Sequence, residues 1–366
     1  MTRAVALIDG EHYAPVVRDA LRALPYEWEG AILVGGTEKL RPGADYGVPL
    51  VEDFGDAEVV VDLSDEPVLG PLERFEWAAR ALAAGLPYVG GDFRLDPPEL
   101  EPFELPSISV IGTGKRVGKT AVTAHLARLL SRDRRVVVVA MGRGGPPEPE
   151  LVETPPTIEE LVALSRAGRH AASDHLELAF LAGVPTIGCR RAGGGLAGAV
   201  VTSNVAAGAR IAAELRPDVV LFDGSGAAIP PVATSRRVLV TGVTARDPYL
   251  DTYRRLVSDV VLERPRLRLR ATGELRGRVA VFTAGATDVA HLGAEIVHVS
   301  TNLADRRALT RDLVEADTYL LEIKGAAIDV VAAHALDRGI RVVVAANDVV
   351  GIDDDALLDL APVVAR

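Results

Sequence analysis

Short apolar runs and helix-period stretches alternate along most of this chain. The first part sets the runs Ala4–Ile8, Ala31–Val34, Glu58–Leu63 and Pro87–Val89 against the amphipathic stretches Ala14–Leu24 and Pro71–Ala84. Strands that alternate with helices predict a parallel sheet. Asp96–Pro106 breaks the pattern, because Pro97, Pro98, Pro102 and Pro106 bar both a helix and a central strand. A buried strand is predicted over Ser107–Ile111 and a helix over Ala121–Leu130. The valine run Arg135–Ala140 has the character of a strand covered on both faces. Thr157-Ile158-Glu159-Glu160 is a capping box that opens a helix to Ala167. Helices over Asp174–Ala182 and Val205–Leu215 and strands over Val219–Phe222 and Val238–Thr241 follow. After Pro265 the pattern restarts, with strands over Arg278–Phe282, Glu295–Val299, Thr318–Ile323 and Arg341–Ala345. These either extend the central sheet or form a separate layer.

The expected organisation is therefore α/β. A smaller N-terminal α/β domain spans 1–96 and a proline-rich linker 97–106. A parallel-sheet core occupies 107–270, and a C-terminal α/β part 271–366.

Composition narrows the function. Of 366 residues 48% are apolar and 25% charged, which fits a folded chain of two or three domains. The longest apolar runs, such as Val136–Met141, are strand-sized, well short of the roughly 18 residues of a spanning helix, and no signal pattern opens the chain. No membrane association is expected. One cysteine, Cys189, excludes an intrachain disulfide and suits a reducing compartment, so the expected location is cytoplasmic. Cys189 is expected to be a small buried residue rather than a nucleophile. A net charge of −11 disfavours nucleic acid as a partner but leaves room for a small anion in a local basic pocket. Only Lys39, Lys115, Lys119 and Lys324 are lysines; every other basic residue is arginine. Two of the four fall in one glycine-rich turn.

That turn is Gly112-Thr113-Gly114-Lys115-Arg116-Val117-Gly118-Lys119-Thr120. It lies between a predicted strand and a predicted helix, the context a phosphate loop requires, and makes the core a P-loop NTPase fold. Glycines let backbone N–H groups converge on a phosphate, and the helix start adds free N–H groups and partial positive charge. Lys119 is expected to reach the β- and γ-phosphates of ATP, and the Thr120 hydroxyl to ligate Mg²⁺. Thr113 stands where the strict pattern has glycine. The loop resembles that of dethiobiotin synthetase and its relatives, in the class that includes the MinD/ParA ATPases. Some of that class place a second lysine near Lys115. The acid expected to complete the metal site is Asp223, which ends the apolar run Val219–Phe222 and precedes Gly224-Ser225-Gly226.

Three other loops have the composition of anion sites. Arg143 sits among glycines after the valine-rich strand, at the end where α/β sheets place ligands. Arg190 and Arg191 precede Gly193, Gly194 and Gly195, and together form a candidate cradle for a multiply charged anion; the bland alternative is an exposed basic turn. Ser173-Asp174-His175-Leu176-Glu177 opens a helix and either caps it or brings a carboxylate near substrate. Asp9 and His12 follow the first strand and either bind substrate or build a turn. Glu322 and Lys324 share one side of a strand end, as a ligand site or as an exposed salt bridge. No His/Cys cluster has the spacing of structural zinc.

Together these landmarks resemble the cyclic 2,3-diphosphoglycerate synthetase family. The resemblance rests on Ala6–Tyr13, Gly112–Thr120, Met141–Glu150 and Ile187–Ala199, with support from Val219–Gly226 and Thr318–Ala327. The chain is shorter than the archaeal members, chiefly in its C-terminal part. The resemblance implies an ATP-dependent ligase that closes 2,3-diphosphoglycerate into its cyclic diphosphate and releases ADP and phosphate. It also implies a homodimer. In that reading Mg²⁺ on Thr120 and Asp223, with Lys119 and Lys115, neutralises the transferring group. Arg143, Arg190, Arg191 and Gly194 hold substrate phosphates, with Asp9, His12 and Lys324 as further contacts. Two rivals share the ATP site: a related P-loop ligase or kinase on another small anion, and a ParA-like ATPase switch whose output is partner binding.

Overall fold

Strand Thr2–Ile8 (β1) lies buried between Tyr26–Leu33 (β2) and Val59–Asp62 (β3), and Tyr88–Val89 (β4) and Arg94–Leu95 (β5) complete a five-stranded sheet in the order β2-β1-β3-β4-β5. All pairs are parallel except β4–β5. The computed structural model describes residues 1–66, 68–242 and 251–360. Positions 243–250 of the expected core and 361–366 of the expected C-terminal part lie outside the described residues.

The chain forms two compact units. The first comprises the described residues of 1–99 with Leu196–Gly198 and 251–258. Its helices Ala14–Ala23 (α1) and Pro71–Ala83 (α2) each carry a proline in the first turn, where the missing N–H costs nothing.

The second unit holds the remaining described residues and two sheets. One is built on Ser107–Gly112 (β6), Val136–Gly142 (β7), Glu150–Val152 (β8), Thr186–Ala192 (β9), Thr202–Ser203 (β10), Val219–Asp223 (β11), Arg236–Thr241 (β12) and Val260–Glu263 (β13). Its order is β10-β9-β7-β11-β6-β12-β13, with β8 pairing β9; only the β8 and β10 pairings are antiparallel. Every residue of β7 is buried, as the valine run predicts. One face of the sheet packs on helices Lys119–Leu130 (α3) and Asp174–Ala182 (α5), and the other on Val205–Glu214 (α6). Helix Ile158–Arg166 (α4) opens with the expected capping box: Glu160 N–H donates to Thr157 Oγ1 and Thr157 N–H to Glu160 Oε2. The proline-rich stretch is held down. Glu101 N–H bonds the Pro231 carbonyl at 3.0 Å, and Phe103 meets Phe222 edge-on at 5.2 Å between ring centres.

The other sheet settles what the sequence leaves open, because the strands after Pro265 form a separate layer. Arg266–Ala271 (β14), Arg278–Phe282 (β15), Glu295–Ser300 (β16), Thr318–Leu321 (β17) and Arg341–Val350 (β18) run in the order β14-β18-β17-β15-β16, parallel except for β14–β18. Phe282, Tyr319 and Leu321 pack against Leu161 and Val162 of α4, so the two layers share a core. The fold is the α/β architecture expected, with a parallel P-loop core.

Candidate functional site

β6 runs into the loop 113–118, and α3 begins at Lys119 directly after Gly118, whose φ of 103° is left-handed. Thr113 accounts for its own departure from the strict pattern. Its N–H bonds the Val240 carbonyl and its hydroxyl accepts from Gly242 N–H, so the side chain ties the loop to the end of β12. A Cβ at Gly112 would stand 2.8 Å from the Val117 side chain and 2.9 Å from that of Lys119, so a larger residue there would displace the loop's own side chains.

Lys119 is buried, and its Nζ donates to the Gly114 carbonyl at 2.7 Å, curling over its own loop. Burial pushes its pKa down to about 8, against the pull of Asp223 and Asp174. Asp223 ends β11 on the neighbouring strand, wholly enclosed. Burial pushes it up to about 7, although Thr123 and Lys119 pull the other way. Thr123 takes its Oδ1, and Oδ2 has no hydrogen-bond partner among the described residues.

One cavity of about 510 Å³ opens at the carboxyl ends of β6, β7, β11, β15 and β17. Lys115, Arg116, Gly118, Lys119 and Thr120 form one wall. Arg143 enters from the loop after β7, Asp174 and Glu177 from α5, and Glu322 and Lys324 from beyond β17. Ligand sites at the carboxyl ends of parallel strands are the rule for such sheets. A larger cavity of about 630 Å³ lies elsewhere in the unit, over β14 and the turn at His291, and holds none of the phosphate-loop residues.

The basic loops divide. Arg191 turns to the loop after β11: its guanidinium donates to the carbonyls of Gly193 at 2.7 Å and Ser225 at 2.8 Å, and Gly194 lies against it. Its charge and that of Arg143 both reach Lys119. Arg190 does not join them. Adjacent residues of β9 face opposite sides, and Arg190 is exposed with no side-chain hydrogen bond or ion pair among the described residues. The structure therefore sets Arg191 among its own glycines and leaves Arg190 apart from it.

The other expectations resolve separately. Glu322 and Lys324 are no exposed salt bridge. Glu322 is buried, and Lys324 Nζ lies 3.3 Å from Glu177 and 4.0 Å from Glu322. Cys189 is buried, and burial raises its thiol to about 12, which makes it inert as a nucleophile. In the first unit Asp9 builds a turn. It accepts from Glu11 N–H, His12 N–H and His12 Nδ1 on one oxygen and from Asp65 N–H on the other. Burial raises its pKa, but these bonds outweigh it and hold the carboxyl below its ordinary range.

Sequence reasoning passed over Thr123, Asn347 and the segment Thr283–Asp288, which also line or support the cavity. Thr123 sits one helical turn beyond Lys119 and was findable by that spacing. Nothing local marks the others.

Comparison with known proteins covers the whole chain. Three family models match: the P-loop domain of cyclic 2,3-diphosphoglycerate synthetase at residues 107–263, its N-terminal domain at 3–55 and 51–96, and its C-terminal domain at 284–348. A cyclic 2,3-diphosphoglycerate synthetase of Rubrobacter xylanophilus is 47% identical over 435 residues, covering 100% of this chain and 98% of its own. Those of Pyrococcus abyssi and Methanothermus fervidus are 37% and 35% identical, over 95% and 98% of this chain and 95% and 96% of theirs. The 435-residue alignment against a chain of 366 means that the first relative carries insertions this chain lacks. Among solved structures, LpxK from Aquifex aeolicus in complex with ATP is matched at 16% identity and a TM-score of 0.42, over 72% of this chain and 89% of that one.

Proposed function

The chain belongs to the cyclic 2,3-diphosphoglycerate synthetase family, and from that premise we propose that it is an ATP-dependent ligase that closes 2,3-diphosphoglycerate into its cyclic diphosphate. The observation that carries the reading is one cavity with a phosphate loop on one wall and Arg143 and Lys324 on the others. Such a site is built to gather several phosphate groups that repel one another.

The reaction has two steps in this reading. An oxygen of one substrate phosphate attacks the γ-phosphorus of ATP and expels ADP, leaving a mixed anhydride. The neighbouring phosphate of the same molecule then attacks the substrate phosphorus of that anhydride, expels inorganic phosphate and closes the ring. Both steps bring anions together, so the protein's task is cationic clamping and alignment. Lys119 leaves the Gly114 carbonyl for the β- and γ-phosphates. Lys115 adds charge at the transferring group, and the 112–120 backbone cradles the triphosphate. Arg143 and Arg191 hold substrate phosphates, with Gly194 fixing the Arg191 guanidinium. Arg190 drops out of this set, and Asp9 acts by holding His12.

The oxygen donors fit Mg²⁺, because Asp223 keeps one oxygen unpaired beside the phosphate loop. Thr120 and Asp223 would hold the ion, which when bound neutralises phosphate charge. The reading includes a cytoplasmic enzyme, on the single cysteine, and a homodimer, as the family resemblance implies.

The test is ADP release with and without 2,3-diphosphoglycerate, with the product followed by phosphorus NMR. Stimulated turnover with a new diphosphate signal is expected. Turnover equal in the two conditions would replace this reading with an ATPase switch, and stimulation by a different small anion with a sister ligase or kinase.

A further inference from the structure

Lys324 is the one lysine of the cavity that does not come from the phosphate loop, and its surroundings are unusually fixed. Glu322 accepts from Ala284 N–H at 2.6 Å on one oxygen and from the Asn347 amide on the other, so it cannot swing. Glu177 projects from α5, in the phosphate-loop layer, and reaches Lys324 across the cavity floor at 3.3 Å. Among the described residues Lys324 is the only partner of the Glu177 side chain.

We propose that Glu177 is a positioning residue that, with Glu322, aims the Lys324 ammonium at the substrate's phosphates, so that the C-terminal sheet supplies the substrate half of the site. This rests on the ligase reading above and assigns work within it. An ammonium has three N–H donors; Glu177 engages one, and the others remain for phosphate oxygens. Lys324 is only partly buried, with its head at the cavity, whereas Glu177 is enclosed. A pair that served stability alone would gain little here, since apolar residues of the same volume do as well in a core. Asp174 lies one turn before Glu177 on the same face of α5, and its charge reaches Lys119 as Glu177's reaches Lys324. One short helix thus sets an acid beside Lys324 and brings the charge of another to bear on Lys119. Glu322 also accepts from Ala284 N–H, within the cavity-lining segment 283–288, so the carboxylate that flanks Lys324 anchors that segment as well.

The experiment measures the KM for 2,3-diphosphoglycerate, the KM for ATP and the melting temperature in the wild type, E177Q, K324Q and the double variant. Each single change is expected to raise the diphosphoglycerate KM about tenfold, as loss of one charge-assisted bond does, and to leave the ATP KM within about twofold. The double variant is expected to match K324Q, because Glu177 acts through Lys324. E177D, which keeps the charge with a shorter reach, is expected to fall between the wild type and E177Q. The proposal is overturned if E177Q raises both KM values alike or lowers only the melting temperature. It is equally overturned if the E177Q and K324Q effects multiply, or if folded E177D is no better than E177Q. A wild type that shows no diphosphoglycerate-dependent ADP release sinks the ligase reading and this proposal together. A normal wild type with an unmoved KM in E177Q sinks this proposal alone.

Discussion

The Thr123 hydroxyl donates to Asp223 Oδ1 at 2.7 Å, joining the second turn of the phosphate-loop helix to the strand end beside it, with both side chains buried. The bond holds one carboxylate oxygen and leaves the other without a hydrogen-bond partner among the described residues, in a side chain that lines the cavity. Thr123→Val keeps the shape but strands Asp223, and is expected to cost about 1–3 kcal/mol of stability in urea unfolding. If Asp223 ligates Mg²⁺, the ion concentration that gives half-maximal ADP release should also rise, while Thr123→Ser stays near the wild type. A valine variant with unchanged Mg²⁺ dependence would remove Asp223 from the metal site.

Arg190 and Arg191 differ by one position and face opposite ways. Arg191→Ala is expected to raise the diphosphoglycerate KM by about 10–100-fold, the cost of one lost charged contact to phosphate. Arg190→Ala should leave it within about twofold, as an exposed unpaired arginine does. Steady-state kinetics on both variants decide the matter. Comparable rises in both variants would restore the paired cradle.

Gly145 lets the Arg143 loop lie on β9. A Cβ there would stand 2.1 Å from the Cys189 carbonyl oxygen, a backbone atom that cannot give way. Gly145→Ala is expected to cost about 2–4 kcal/mol, since both backbones must shift. The same shift moves Arg143, so the substrate KM should rise along with the drop in urea midpoint. A variant as stable as the wild type would mean that the loop has another resting place.

What was legible in the sequence follows from range. The phosphate loop, the Thr157 capping box and the helix over Asp174–Ala182 are local, set by a few adjacent residues, and each is found where the pattern puts it. Strand starts and ends drifted by a few residues; β2 begins at Tyr26 rather than Ala31, because pairing with β1 and not composition decides where a strand begins. The site was harder. Arg190 and Arg191 read as a unit because they are adjacent, yet adjacency within a strand is what sends them apart. Glu177 and Lys324 are separated by most of the second unit's sequence, and only the packing of one sheet layer on the other brings them together. No periodicity announces that pair.

His175 offers a test of folding free of any assumption about function. Its ring packs against Gly188, where a Cβ would come within 2.5 Å, and its Nε2 is buried without a hydrogen-bond partner among the described residues. Burial, with the charges of Arg169 and His170, pushes its pKa down from 6.5 to about 4. Between these values the unfolded chain binds a proton that the folded chain refuses. Stability from this group is therefore complete above pH 6.5 and is lost as the pH falls toward 4. The full loss would be about 3 kcal/mol, and acidification from about pH 7 to 5 should expose about 2 kcal/mol of it. His175→Leu removes the proton site, so urea unfolding at the two pH values should show a smaller drop in the variant than in the wild type, whatever the variant's absolute stability. Equal drops would mean that the folded protein accepts the proton at His175 as readily as the unfolded chain does.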